Sequence, residues 1–190
     1  MPLTVTLEFS DQELEHFQSL VNGICDRNRD RAPHEIAASA AAEVDRLRSV
    51  ARSSFVASRI DRVARLIAMI EDPEWALPEP ERLRVLAALA YVADANDLVP
   101  DDVPVLGLVD DAIMLELLLR EFRHELEAYE EFDAFRREQV ALRDKPDQHR
   151  HVSVADWLDS RRQALHSRMA ERRERDLARN GESFRLITRF

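Results

Sequence analysis

The chain has very few of the residues that interrupt helices or build nucleotide-binding loops. Its 190 residues include three glycines (Gly23, Gly107 and Gly181) and one cysteine, Cys25. Three dispersed glycines cannot form a glycine-rich phosphate-binding loop, and one cysteine cannot form an internal disulfide. The scarcity of glycine, together with abundant alanine, leucine, arginine and glutamate, favours helix through most of the chain.

Long apolar runs are also absent. The longest uncharged apolar stretch, Val85 to Ala93, is about half of the roughly 20 residues that a membrane span requires. Met1 to Leu20 has neither a basic start nor an apolar core, so we predict no secretory signal peptide. Because Cys25 sits by the apolar face of its helix, it is expected to be a buried structural thiol. These features together predict a cytoplasmic protein.

Lysine is almost absent, since Lys145 is the one lysine among 27 basic residues. The charge is unevenly distributed along the chain. Residues 1–135 hold 13 basic and 28 acidic side chains, a net charge of −15, whereas residues 136–190 hold 14 basic and 9 acidic side chains, a net charge of +5. The sequence therefore has an acidic body followed by a basic tail.

Apolar residues recur at helical spacing along the body. Those between Val56 and Ile70 step by four and three, which is typical of closely packed helices. Leu83 to Ala93 continues the pattern, and a long stripe runs from Leu115 through Tyr129 to Phe135. Ser10 with Glu13 has the pattern of a capping box. We predict an all-α fold, an antiparallel helical bundle of five or six helices with a C-terminal helical extension.

The domain organisation follows from the polar segment Lys145 to His151, which is typical of a linker. We expect residues 1–144 to form the helical bundle. Residues 145–190 are expected to form the linker and an arginine-rich helical extension. Ser153 and Asp156 form a second capping-box pattern at the start of that extension.

An aspartate-rich segment lies between two apolar helical runs, from Ala88 to Asp111. It contains six aspartates, two prolines and one glycine. Pro100 lacks a backbone donor and disfavours helix at Val99, so we predict a shaped turn. The residues expected to set its shape are Pro100, Pro104 and Gly107.

This pattern resembles the signature of the YkvA-like family, bacterial proteins built around a short domain of unknown function. The matching positions are Asp97 to Asp101, Pro104 to Gly107, and the pair Asp110 and Asp111. The resemblance spans about residues 83–125, and Ala95 stands where the family usually has proline. It implies a helical fold and a bacterial origin. It implies no activity, because none is established for the family.

The signature aspartates support two interpretations. As hard oxygen ligands they would form a site for Mg²⁺ or Ca²⁺. As turn residues they would accept hydrogen bonds from loop amides or occupy the first turn of a helix. The frequent use of aspartate in turns favours the second interpretation. The candidate metal ligands are Asp97, Asp101, Asp110 and Asp111.

Asp94 and Asp97 differ from the others because they lie near the C-terminal end of the helix predicted over Leu83 to Ala93. A carboxylate at that end opposes the helix dipole. We therefore expect a backbone amide, an arginine or a cation to compensate for it.

Two Glu-x-x-His motifs, Glu121 with His124 and Glu13 with His16, resemble halves of a di-iron site. Such a site also needs inward glutamates from two further helices. The helix predicted after Phe55 offers only a terminal glutamate, and Leu83 to Ala93 offers none. Solvated acid–base pairs are therefore the favoured interpretation.

The tail carries a dense set of arginines, which would suit nucleic acid or an anionic membrane surface. Acidic residues are interleaved with them at spacings that allow pairing within the helix, and no aromatic residue lies between Trp157 and Phe184. These features favour a solvated, self-paired helix. Attraction to the acidic body, within the chain or between subunits, is a further possibility. The arginines are Arg161, Arg162, Arg168, Arg172, Arg173, Arg175 and Arg179.

No nucleophile-elbow or catalytic-triad pattern occurs in the sequence. We therefore predict a non-enzymatic interaction or scaffold module of the YkvA-like type, with a protein partner or a second copy of itself as ligand. The first alternative is a divalent-metal-binding module or enzyme that uses the aspartate turn. The second is peripheral membrane or nucleic-acid binding through the arginine-rich tail, against which the interleaved acids argue.

Overall fold

The computed structural model describes residues 8–51, 53–94, 109–143 and 154–179. This part of the chain contains seven helices and no strand, which confirms the all-α prediction. The helices are α1 (Asp11–Asn28), α2 (Pro33–Val50), α3 (Ser54–Glu71), α4 (Glu79–Val92), α5 (Val109–Glu121), α6 (Arg123–Arg143) and α7 (Val154–Arg179).

The helices of the N-terminal half begin at the residues that the sequence indicates. Ser10 caps α1 in the predicted capping box, because its hydroxyl accepts from the Glu13 amide at 3.4 Å and its own amide donates to Glu13 Oε2 at 2.7 Å. Pro33 is the first residue of α2, where its missing N–H is not needed. Ser53 caps α3 by accepting from the Phe55 amide.

Helix α4 lies at the centre of the fold. All residues from Val85 to Ala90 are buried, and the helix packs against α1, α2 and α3. A helix that is apolar on every side is stable in water only when neighbours surround it. Helix α3 presents the predicted stripe to this core, since Val56, Ile60, Val63 and Ile67 are buried.

The predicted stripe from Leu115 to Tyr129 is buried as expected, but it belongs to two helices. The division falls at the fully buried Phe122, between α5 and α6. The amides of Phe122 and Leu126 still donate to carbonyls four residues earlier, at 3.3 and 3.0 Å. The described residues therefore hold six helices before the C-terminal extension α7, which agrees with the predicted bundle of five or six. The one difference is that the stripe expected to form a single helix is divided, because an apolar stripe continues through a local irregularity of the backbone.

Helix α7 packs along α6 and adds Leu165 and Met169 to the common core. Its arginines were expected to be solvated and paired within the helix, and that expectation is wrong for those nearest the core. Arg172 and Arg173 contact acidic side chains of other helices. The surface that α7 covers, here called the acidic groove, is lined by Glu127 and Glu131 of α6 and by Glu81 in the first turn of α4.

Candidate functional site

The aspartate turn lies largely outside the described residues. Asp97, Asp101, Pro100, Pro104 and Gly107 all belong to the segment 95–108. Asp110 and Asp111 lie in the first described turn of α5, and the description does not extend to their side chains. The choice between capping and metal binding therefore stays a prediction. Within the described ranges, no group of three or more His, Cys, Asp or Glu side chains could hold a metal ion.

The neighbouring Asp94 has the compensation that its position requires. Its Oδ2 lies 2.8 Å from Nη2 of Arg27, which belongs to the last turn of α1. The arginine offsets the unfavourable interaction of the carboxylate with the end of α4. The same contact ties α1 to the point where the aspartate turn begins, and it confirms the expectation for Asp94.

The Glu-x-x-His residues take part in ion pairs and caps. Glu13 belongs to the cap of α1, and Glu121 accepts from Arg84 Nη2 at 2.8 Å. His124 Nε2 lies 2.8 Å from Asp176 Oδ2 on α7.

The thiol of Cys25 is buried as predicted, 3.9 Å from the carbonyl oxygen of Ala87. Burial raises the pKa of this thiol to about 11, which favours its protonated form at neutral pH and agrees with a structural role.

A series of ion pairs joins α6 to α7 and is here called the charge ladder. Arg168 Nη2 donates to Glu131 Oε2 at 2.6 Å, and Arg172 Nη1 donates to Glu127 Oε2 at 3.3 Å. Asp176 accepts from Arg123 one turn further on. The partners advance by four residues on α7 while they retreat by four on α6. The two helices are therefore antiparallel, with one side chain from each turn facing its partner.

A second set of charges joins α7 to α4. Arg173 Nη1 donates to Glu81 Oε1 at 2.9 Å and lies 3.6 Å from Oε1 of Glu125. Glu125 is fully buried, and its Oε1 also accepts from Arg84 at 3.2 Å. Its Oε2 has no hydrogen-bond partner among the described residues. Burial raises the pKa of Glu125, while Arg84 and Arg173 act in the opposite direction.

The floor of the groove is aromatic. Trp75 is fully buried in the connection between α3 and α4, and its ring contacts those of Tyr129 and Phe132 on α6. His166 of α7 meets the Trp75 ring edge-on, with the ring centroids 4.4 Å apart. Burial lowers the pKa of His166, and the nearby Arg162 lowers it further. The imidazole is therefore neutral at neutral pH, which suits its contact with the indole.

The α3–α4 connection is fixed by hydrogen bonds that converge on Asp72. Its Oδ1 accepts from the amides of Glu74 and Trp75, and its Oδ2 accepts from Tyr129 Oη at 3.1 Å and from Arg136 at 2.8 Å. Arg162 of α7 donates to the carbonyl of Glu74 at 3.1 Å. These contacts, one of which comes from α7 itself, fix the position of Trp75 beneath α7.

The contacts that α7 makes with the rest of the chain combine ion pairs with an aromatic contact. Carboxylates of α4 and α6 face guanidinium groups of α7, and His166 of α7 faces the Trp75 indole. Complementary charges of this kind favour one register of α7 on α6. The sequence did contain a signal for it: Glu127 and Glu131 are four residues apart, as are Arg168 and Arg172. The pattern becomes informative only when α6 and α7 are known to be adjacent.

Comparison with protein families finds a match within the central part of the sequence. Residues 81–117 match the model of a family described as a protein of unknown function (DUF1232). The matched segment contains most of α4 and the first part of α5, and it includes the aspartate turn. It agrees with the region over which the sequence resembles the YkvA-like pattern.

The described residues thus form an all-α helical bundle, and residues 81–117 are similar to a family of unknown function. No curated protein and no solved structure matches the chain. Among the helices described, none has the length and apolar character needed to cross a bilayer.

Proposed function

We propose that the chain is a non-enzymatic interaction module of the YkvA-like type, acting in the bacterial cytoplasm. In this proposal, residues 1–144 form a body that binds an arginine-rich helix through its acidic groove. Residues 145–190 supply a ligand of this kind within the same chain. The match to a family of unknown function is compatible with this role and does not assign an activity.

The charge ladder is the observation that supports the proposal. Its side chains are partly exposed: Arg168 and Glu131 keep 43% and 36% of their accessible surface, and Arg172 and Glu127 keep 37% and 48%. Pairs with this much exposure contribute about 0.2–1 kcal/mol each and are weakened by salt. An interface held by several weak, hydrated pairs is suited to reversible binding.

The contacts of α7 also bear on the alternative role of its arginines. Arg168, Arg172 and Arg173 face carboxylates of α6 and α4, which nucleic acid or an anionic membrane would have to replace. We therefore propose that these arginines bind the acidic groove, and not the phosphate groups of nucleic acid or lipid.

A peptide-binding experiment tests the proposal. The body is tested in the full chain with Arg168→Glu and Arg172→Glu, called the body variant. These substitutions should weaken the packing of its own α7 on α6 and free the groove for the peptide. The probe is a fluorescent peptide of residues 154–179, and the readout is fluorescence anisotropy. We expect saturable binding that weakens several-fold between about 0.1 and 0.5 M salt.

The matched control is the same peptide with Arg168→Glu and Arg172→Glu, for which we expect no binding. Circular dichroism of the body variant checks that its helices are retained. If the body variant is folded and binds neither peptide, recognition of a basic helix by this groove is refuted.

A further inference from the structure

We infer that the groove also accepts α7 of a second copy of this chain, so that two copies exchange their C-terminal helices. This inference rests on the proposed function, because it names the partner of the same acidic groove. It is carried by the order of charges in the ladder, which specifies both the direction and the register of the incoming helix.

The ladder changes polarity at its last step. Along α7 the charges run positive, positive, negative at Arg168, Arg172 and Asp176, and their α6 partners carry the opposite signs. Sliding α7 by one turn would place Asp176 opposite Glu127, or Arg172 opposite Arg123. Reversing its direction would place Arg168 opposite Arg123. Each alternative brings like charges together, which discriminates against wrongly aligned helices.

The other edge of the groove adds a further requirement. Glu125 is fully buried, and Arg173 is one of the two guanidinium groups that compensate its charge. A helix without an arginine at this position would leave the buried carboxylate with less compensation, which is costly. His166 must also fit against Trp75. A fitting ligand therefore combines the ladder charges with Arg173 and His166, as α7 of this same chain does.

The exchange preserves these contacts. An α7 that docks on its own body and one that docks on a neighbouring body would make the same ion pairs and the same aromatic contact. The balance between the two arrangements then depends on the connection between α6 and α7 and on protein concentration. Residues 144–153 provide ten residues between the two helices.

Two complementary variants distinguish exchange from docking within one chain. The first reverses the groove with Glu127→Arg and Glu131→Arg, and the second reverses the helix with Arg168→Glu and Arg172→Glu. Each variant alone has mismatched charges in every arrangement. Mixed together, each body meets an α7 of complementary charge only in the other copy. We expect the mixture to form a 1:1 dimer of about twice the 22.0 kDa chain mass, measured by light scattering and native mass spectrometry.

A mixture that stays monomeric, while all four substitutions in one chain restore the melting temperature, would overturn exchange. That result would leave peptide recognition by the groove intact, so the two proposals fail separately. If either variant does not fold, a chain with Glu131→Cys and Arg168→Cys keeps the test decisive, because these two positions are in contact. A disulfide that links two chains supports exchange, and a disulfide found only within single chains overturns it.

Discussion

Nη2 of Arg168 lies 2.6 Å from Oε2 of Glu131, and this contact begins the series of ion pairs that holds α7 on α6. One turn further on, Arg172 faces Glu127 at 3.3 Å. Because the paired residues recur every four positions on both helices, the ion pairs lie one after another along the same side of the α6–α7 contact. Position and direction of α7 are thus defined by charge, while Leu165 and Met169 supply its buried apolar contacts.

Arg84 is expected to be the charged residue whose loss costs most. It lies between two largely buried carboxylates, those of Glu121 and Glu125. Arg84→Met would leave both without this guanidinium, and breaking a buried ion pair in this way costs about 3–5 kcal/mol. Urea unfolding measures the change. The matched control is Arg82→Met on the same helix, because Arg82 pairs with the exposed Glu79 at 3.9 Å.

For the Arg82 control we expect a change within about 0.5 kcal/mol, as is usual for surface positions. Equal effects of the two substitutions would show that the Glu125 site does not contribute to stability as the geometry indicates.

His166 should make stability depend on pH. Burial lowers its pKa below the ordinary 6.5, so the unfolded chain binds this proton more readily than the folded chain. The stability that the neutral imidazole contributes is therefore complete above pH 6.5. It is lost as the pH falls through the lowered pKa of His166 in the folded chain. We expect His166→Gln to flatten the decline of the melting temperature between about pH 7 and 5, relative to wild type.

The control for this experiment is His34→Gln, since His34 is exposed on α2. Glu125 acts with the opposite sign. Its raised pKa adds stability at low pH, which declines as the pH rises from 4.5 through the raised value. An unchanged pH profile in His166→Gln would contradict the assignment of the pH response to the buried imidazole of His166.

Ala76 offers a test of the connection that positions Trp75. Its φ of 46° lies in the left-handed region, which costs a residue with a Cβ about 1–2 kcal/mol. Glycine would remove this cost, but it also loses more backbone entropy than alanine on folding. We therefore expect Ala76→Gly to raise the free energy of unfolding by a net of about 0.5–1 kcal/mol. Ala51→Gly is the control, because Ala51 has a φ of −61° and glycine should lower stability there. Destabilisation by both substitutions would be inconsistent with this backbone conformation.

Asp110 and Asp111 are expected to act as residues of the first turn of α5. A negative charge at a helix N-terminus contributes about 0.3–1 kcal/mol, so Asp110→Asn with Asp111→Asn should lower stability by about 1 kcal/mol. Addition of Mg²⁺ or Ca²⁺ should leave the melting temperature of the wild-type chain unchanged. Heat in a calorimetric titration, lost in Asp97→Asn with Asp101→Asn, would instead favour the metal interpretation.

The helices and their buried faces could be predicted from local pattern alone. The steps between Val56 and Ile67, the cap at Ser10 and the need for a charge partner at Asp94 all follow from rules that act within a few residues. The boundary at Phe122 could not be predicted, because the apolar stripe is the same on both sides of it.

The charge ladder escaped prediction for a different reason. Net charges of −15 and +5 indicate attraction between the acidic body and the basic tail. They do not specify which side chains of the two segments pair with each other. Arg168 has acidic residues near it in sequence, Glu171 among them, so pairing within the helix was the favoured interpretation of the same residues. Only the packing of Leu165 and Met169 against the core selects which face of α7 meets α6.

The most direct test of the account is hydrogen exchange of the α7 amides in four proteins: wild type, Arg168→Glu with Arg172→Glu, Glu127→Arg with Glu131→Arg, and all four substitutions together. We expect each pair alone to reduce the protection of α7 by about 1–3 kcal/mol, and the combination to restore most of it. Protection in α7 that is the same in all four proteins would contradict a helix held in place by the charge ladder.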